Sequence, residues 1–205
     1  MRKRIGIFGG TFNPIHMGHL MIAEFTREKY NLEEVIFVPS SNPPHKKLGI
    51  AAAEHRYKMT ELAIADNPYF SISEVELTRK GPSYTIDTIK YFQTLYPKGT
   101  EFYFICGTDT ILALPTWKYI DELLELCYFI GASRPDNADA HNVINSFGAL
   151  GREKIKLLEV PKLKISATDL RERLQNKETV RYIVPETVIN YINTHNFYKK
   201  EAQSC

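Results

Sequence analysis

Residues 5–20 read IGIFGGTFNPIHMGHL: an apolar run gives way to Gly9, Gly10 and Thr11, then to His16 and His19 with Gly18 between them. Two histidines three apart at a helix start project toward one region, so they can present two imidazoles to a single anion. A neutral imidazole donates a hydrogen bond, and an imidazolium can also counter charge that develops during phosphoryl transfer. Gly9 and Gly10 lack side chains and can adopt positive φ, which would let a phosphate or nucleotide approach the backbone closely, and Gly18 does the same between the imidazoles. Amides at the start of the following helix favour negative charge. The competing uses are ordinary ones: a tight turn for the glycines, capping or packing for either histidine. Zinc fits less well, because no Cys, His or carboxylate cluster supplies the remaining ligands at familiar spacing.

This spacing is neither the GxxxxGK[ST] loop nor GxGxxG, and the second apolar run ends at Val38 and Pro39 where a redox dinucleotide fold would place an acid. The class it suggests is a nucleotide-binding enzyme that manages phosphate with histidine and helix amides. A second cluster lies downstream in KISATDLRERL. There Ser166 or Thr168 can cap a helix, and Arg171, three residues after Thr168, falls on the same side. Two helix starts facing one crevice could hold a triphosphate between them. Lys46 and Lys47 can reach over that crevice or simply face water. Asp109 follows a strand and can accept ribose hydroxyls, help position magnesium or cap a helix. Trp117, the single tryptophan, serves as a stacking platform or as core.

The elements that must position these groups follow from periodicity. Strands are expected at 4–8, 34–39, 69–77, 101–106, 127–132 and 154–160. Helices are expected at 17–30, at 51–67, after a Ser83 cap with Ile86, Ile89 and Phe92 inward, at 168–174 and at 185–194. Residues 39–50 read as a loop over the site or a plain surface loop, and 133–153 gives no clear pattern. Alternating strand and helix predict an α/β fold, a doubly wound, mostly parallel Rossmann-like sheet with helices on both faces. Too few repeated units are present for a closed (β/α) barrel. At 205 residues the chain is expected to form one domain, 1–205, with a C-terminal helical part at about 165–198.

Composition narrows the partners. With 26 basic and 24 acidic residues the net charge is +2, and the 11 Phe and 12 Tyr are scattered, so no basic aromatic surface for nucleic acid is expected. The basic, apolar start is too short for a secretion signal, and no stretch reaches the length of a membrane span. Cys106, Cys127 and Cys205 are odd in number and widely spaced, which suggests a reducing compartment and a cytoplasmic protein.

GGTFNPIHMGH resembles the phosphate-binding signature of the HxGH nucleotidyltransferase superfamily. Together with PPHK, SYTIDT, GTDTILALPTW, SRP, ISATDLR and VRYIVPETVINYI, in that order over nearly the whole chain, it resembles the bacterial nicotinate-nucleotide adenylyltransferase family. The resemblance implies transfer of the adenylyl group of ATP to nicotinate mononucleotide, with magnesium accompanying ATP, by direct in-line attack that gives nicotinate adenine dinucleotide and pyrophosphate. It implies ATP contacts at Gly9, Gly10, Thr11, His16, Gly18 and His19, with Ser166, Thr168 and Arg171 on the phosphates and the C-terminal part completing the ATP site. His16, His19 and Arg171 are then the catalytic set. Thr85 and Trp117 fall where the family binds the nicotinate group, and Asn42, Lys46 and Asp109 line the mononucleotide pocket. Asn13 stands where many members have Asp, and Ala167 where Ser is frequent. The alternatives are a related adenylyl- or cytidylyltransferase with another phosphorylated acceptor, nicotinamide mononucleotide included, and a non-catalytic nucleotide-binding regulator. The protein ligands of the metal and the oligomeric state stay open, a homo-oligomer among the options.

Overall fold

The computed structural model describes residues 2–41, 50–79, 81, 84–133, 137–161 and 165–198. Asn42, Lys46, Lys47, Ser83 and Cys205, all named above, lie outside the described residues.

Six strands form one sheet: β1 (Arg4–Gly10), β2 (Glu34–Pro39), β3 (Phe70–Ile72), β4 (Glu101–Gly107), β5 (Tyr128–Ser133) and β6 (Ile155–Glu159). Their order is β3-β2-β1-β4-β5-β6, and every neighbouring pair is parallel. β1 sits at the centre, with Ile7 beside Ile36 on one side and Phe104 on the other. Alternate residues of these strands feed two cores, which explains their near-continuous apolar character. On one face Ile5, Ile7, Phe102, Phe104 and Phe129 pack under Ile86, Ile89, Phe92 and Leu124. On the other, Val35, Phe37, Ile105 and Ile130 pack under Ala23, Met59, Leu170, Val188 and Ile192.

The helices are α1 (Met17–Tyr30), α2 (Ala53–Ile64), α3 (Val75–Thr78), α4 (Thr85–Leu95), α5 (Thr108–Ala113), α6 (Ile120–Leu126), α7 (Ala138–Ser146), α8 (Gly148–Lys154), α9 (Ala167–Gln175) and α10 (Glu186–Thr194). The expected strand over 69–77 is shorter than its pattern: it ends at Ile72, and Val75–Thr78 turns into α3. Ser73 Oγ accepts the Val75 amide at 3.3 Å, and the buried Glu76 carboxylate accepts a bond from Thr88 Oγ1 of α4 at 2.9 Å, so side-chain polar bonds replace ladder bonds there. Helices α5 and α6 lie between β4 and β5, and α7 and α8 lie within 138–154, stretches where no helix was expected. These helices have six to nine residues, too few turns to display a 3.6-residue period. α8 also depends on Gly151, where a Cβ would lie 2.2 Å from the Ile144 carbonyl oxygen of α7. Among the described residues no helix is long and apolar enough to cross a membrane.

Candidate active site

The strand order reverses between β1 and β4, whose helices leave toward opposite faces, and a crevice opens there beyond the strand ends. A cleft of about 370 Å³ occupies it, lined by Phe8, Gly9, Gly10, Phe12, His16, Gly18 and His19 from the first turn. Gly107 and Asp109 line it from β4 and α5, and Met21, Ile22, Val160, Pro161 and Ile165 give it an apolar wall. A larger hollow of about 570 Å³ beside Met17, Arg181, Tyr182 and Pro185 contains neither histidine.

Gly9 and Gly10 do not take the positive φ foreseen for them; both extend β1. Space is what they supply. A Cβ on Gly10 would lie 2.8 Å from the Phe12 ring and one on Gly9 3.1 Å from the Phe104 ring. The left-handed residue is instead Phe12, at φ 47°, an unfavourable conformation for a bulky side chain. Its buried ring meets Phe8 edge-on at 5.5 Å and His19 at 5.1 Å. Asn13–Pro14 follows as a cis peptide.

His16 precedes the first turn of α1 in extended conformation, and its ring stacks on that of His19 with centroids 3.7 Å apart. The His16 backbone N–H donates to His19 Nδ1 at 3.3 Å, which leaves the proton of a neutral His19 on Nε2. The His16 ring leans toward the His19 amide as in a capping box, yet that amide bonds the His16 carbonyl at 2.9 Å and His16 Nδ1 is buried without a hydrogen-bond partner. His16 is only 6% exposed. Burial lowers its pKa to about 4, so the ring is neutral near pH 7 and acts there as a hydrogen-bonding group, not as the imidazolium that the sequence left open. Gly18 is placed by this ring: a Cβ there would sit 3.1 Å from His16 Nδ1. The start of α1 offers less free amide than expected, because the Met17 N–H donates to the Ile183 carbonyl at 2.9 Å.

The downstream cluster arrives at the same turn. Ser166 caps α9, its side chain accepting the Thr168 amide at 3.2 Å. Arg171 donates from Nη2 to Thr168 Oγ1 at 3.1 Å and from Nη1 to the Asn13 carbonyl at 3.0 Å. Asn13 is itself buried, and its side-chain oxygen accepts from the Ala51 amide at 3.1 Å and from the Tyr198 hydroxyl at 2.6 Å. The amide in place of a carboxylate thus serves as a neutral double acceptor. Arg56 completes the arrangement: 1% exposed, it donates to the carbonyls of Thr11 at 2.8 Å, Ala51 at 3.0 Å and Ser41 at 3.1 Å.

The remaining candidates are spread along the β4 side. Asp109 lies in the first turn of α5 on the cleft lining, and Thr85 is the first residue of α4. Trp117 is half-buried outside that lining, its ring edge-on to Phe104 at 5.9 Å and to Phe129 at 6.1 Å. Sequence reasoning missed Phe12, Arg56, Gly107, Tyr198 and the apolar wall. Gly107 could have been found as the residue ending a central strand beside a switch point; an arginine in a helix rich in charge gave no sign of being buried.

Among the described residues no group of three or more His, Cys, Asp or Glu comes together to hold a metal. The donors present suit magnesium carried by a nucleotide, since that ion takes one or two carboxylates and completes its shell with phosphate and water, and Asp109 faces the cleft.

Comparison with known proteins adds an independent view. The Cytidylyltransferase-like family model matches residues 7–173. A protein of Thermoanaerobacter sp. is 45% identical over 204 residues, covering 98% of this chain and 97% of its own. One of Moorella thermoacetica is 48% identical over 200 residues, covering 96% and 92%. Both bear the name "probable nicotinate-nucleotide adenylyltransferase". Among solved structures, Plasmodium falciparum nicotinic acid mononucleotide adenylyltransferase complexed with NaAD shares the fold at a TM-score of 0.79 with 23% identity, over 96% of this chain and 98% of that one.

Proposed function

The chain belongs to the nicotinate-nucleotide adenylyltransferase family within the cytidylyltransferase-like group, and from that premise we propose that it transfers the adenylyl group of ATP to nicotinate mononucleotide, releasing pyrophosphate. The observation that carries this reading is the stacked His16/His19 pair on a cleft at the strand switch point, with Arg171 tied to the same turn through Asn13.

A 5′-phosphate oxygen of the mononucleotide attacks the α-phosphorus of ATP; the new P–O bond forms as the bond to the pyrophosphate oxygen breaks, and no proton has to move. The acceptor phosphate is already nucleophilic, so what the protein supplies is alignment and compensation of charge. His19 donates from Nε2 to a phosphate oxygen, and neutral His16 hydrogen-bonds beside it. Arg171, with Thr168 and Ser166 at the start of α9, takes the leaving pyrophosphate, so the part at about 165–198 completes the ATP site of a single 1–205 domain. Gly9, Gly10, Thr11 and Gly18 let the nucleotide lie close to the backbone, and the apolar wall at Val160, Pro161 and Ile165 receives the base. Asp109, with the phosphate oxygens, would hold magnesium, which would neutralise phosphate charge when bound. Thr85 and Trp117 recognise the nicotinate group, with Asn42 and Lys46 assigned to the same mononucleotide. The substrates are small molecules and not nucleic acid; the two buried free thiols, Cys106 and Cys127, suit a reducing cytoplasm.

The test is pyrophosphate release with magnesium, ATP and either nicotinate or nicotinamide mononucleotide. Strong preference for the acid supports the assignment in full, and turnover of neither removes the acceptor class.

A further inference from the structure

The turn that carries the histidines does not hold itself in place. Phe12 lies in the left-handed region, and the residues on either side of it are restrained from elsewhere: Thr11 through its carbonyl by Arg56, Asn13 through its carbonyl by Arg171. Bonds to the Asn13 side chain anchor residue 13 as a whole, and with it the main-chain carbonyl that Arg171 uses. One such restraint, the Ala51 amide, comes from the segment before α2. Another is the hydroxyl of Tyr198, 185 residues further along the chain, and its 2.6 Å separation is shorter than that to the Ala51 amide.

We propose that Tyr198 is a positioning residue of the nucleotide site, its hydroxyl locking Asn13 so that the Asn13 carbonyl orients Arg171 toward the phosphates. This rests on the reaction assigned above. Tyr198 is suited to the task. Its backbone is itself left-handed at φ 61°, closing the turn after α10, and its ring packs beside Phe197 against the core under α2 and α10. The phenol lies between two cations, Arg56 and Arg171, which pull its pKa down, but burial outweighs them and pushes it above the ordinary tyrosine value. The hydroxyl therefore keeps its proton and remains a donor to Asn13. Arg56 and Arg171 have no carboxylate at residue 13 to turn toward, so the orientation of Arg171 depends on neutral acceptors that this hydroxyl helps to fix.

The experiment is a double-substitution cycle with Tyr198→Phe and Arg171→Ala, read by steady-state kinetics and by the rise in Tm on adding ATP. If Tyr198 acts through Arg171, Tyr198→Phe alone lowers kcat about tenfold, leaves the KM for nicotinate mononucleotide within twofold, and shrinks the ATP-induced rise in Tm. In the Arg171→Ala background it then changes neither readout further. Asn13→Ala approaches the same link from the acceptor side, and its effect on kcat should not add to that of Tyr198→Phe. Full additivity of Tyr198→Phe with Arg171→Ala overturns the proposal, as does an equal drop in Tm with and without ATP at unchanged kcat. Wild-type protein that turns over neither mononucleotide, yet loses its ATP response in Tyr198→Phe, would remove the acceptor assignment and leave the positioning role standing.

Discussion

Arg171 donates a hydrogen bond to the main-chain carbonyl of Asn13, a residue 158 positions earlier in the chain, at 3.0 Å. A guanidinium on α9 is thereby fixed to the turn that also carries His16 and His19. Groups expected to handle phosphate, from distant parts of the sequence, thus meet at one turn, although Arg171 is not itself among the residues lining the cleft, and the consequences can be measured separately.

His19→Ala should lower kcat by ~100-fold, about 3 kcal/mol, if Nε2 contacts the transferring phosphoryl group. Thermal unfolding followed alongside the kinetics decides the matter: a Tm loss in proportion to the activity loss would mark His19 as a packing residue.

His16 gives a pH signature in stability. Its folded pKa of about 4 lies below the ordinary 6.5, so below pH 6.5 the unfolded chain binds a proton that the folded chain refuses. Stability falls as pH drops from 6.5 toward 4, by on the order of 3 kcal/mol from this group. Urea unfolding across that window should be flatter in His16→Gln; an unchanged slope would mean that the ring is not held neutral by burial.

Trp117→Ala should raise KM for the mononucleotide several-fold and leave KM for ATP within twofold. Because the ring also meets Phe104 and Phe129, some loss of Tm is expected too. Unchanged mononucleotide kinetics in a folded variant would restrict Trp117 to packing.

Gly10→Ala tests the floor of the cleft. The added methyl would meet the Phe12 ring at 2.8 Å, and displacing that ring should cost about 1–3 kcal/mol. Phe12 touches His19, so kcat should fall with Tm, and restoration of both by Phe12→Leu in the same chain would trace the damage to that contact.

How much of this the sequence disclosed follows from the range of the interactions. The sheet was legible because each central strand is buried on both faces and reads as an apolar run, and α1 because its inward stripe has 14 residues over which to repeat. Helices α5 to α8 were invisible for want of length. At the candidate site, residue type and local spacing were enough to single out His16 and His19, which line the cleft, and Arg171, which is bonded to the same turn. Arg56 and Tyr198 could not be found this way, since the bonds that tie them to the turn, to the Thr11 carbonyl and the Asn13 side chain, reach 45 and 185 residues along the chain, and nothing within a helical turn of either residue signals such a partner. That Gly9 and Gly10 supply space without positive φ was hidden for the same reason: the ring that requires Gly10 to be bare belongs to Phe12, whose left-handed backbone no local pattern marks.

The parallel order of the sheet carries a consequence for biosynthesis. β1 is the first strand made, but its β4 partner, which registers Arg4 against Glu101, emerges only after two other strands and several helices, with no hairpin to shorten the wait. A ribosome-bound fragment that has passed β2 therefore exposes one flank of its earliest strand to chaperones or to unwanted pairing. Since Asn13 draws contacts from both Arg171 and Tyr198, full catalytic competence should appear only once translation has cleared Tyr198, and nascent chains halted before that point should fall short of it.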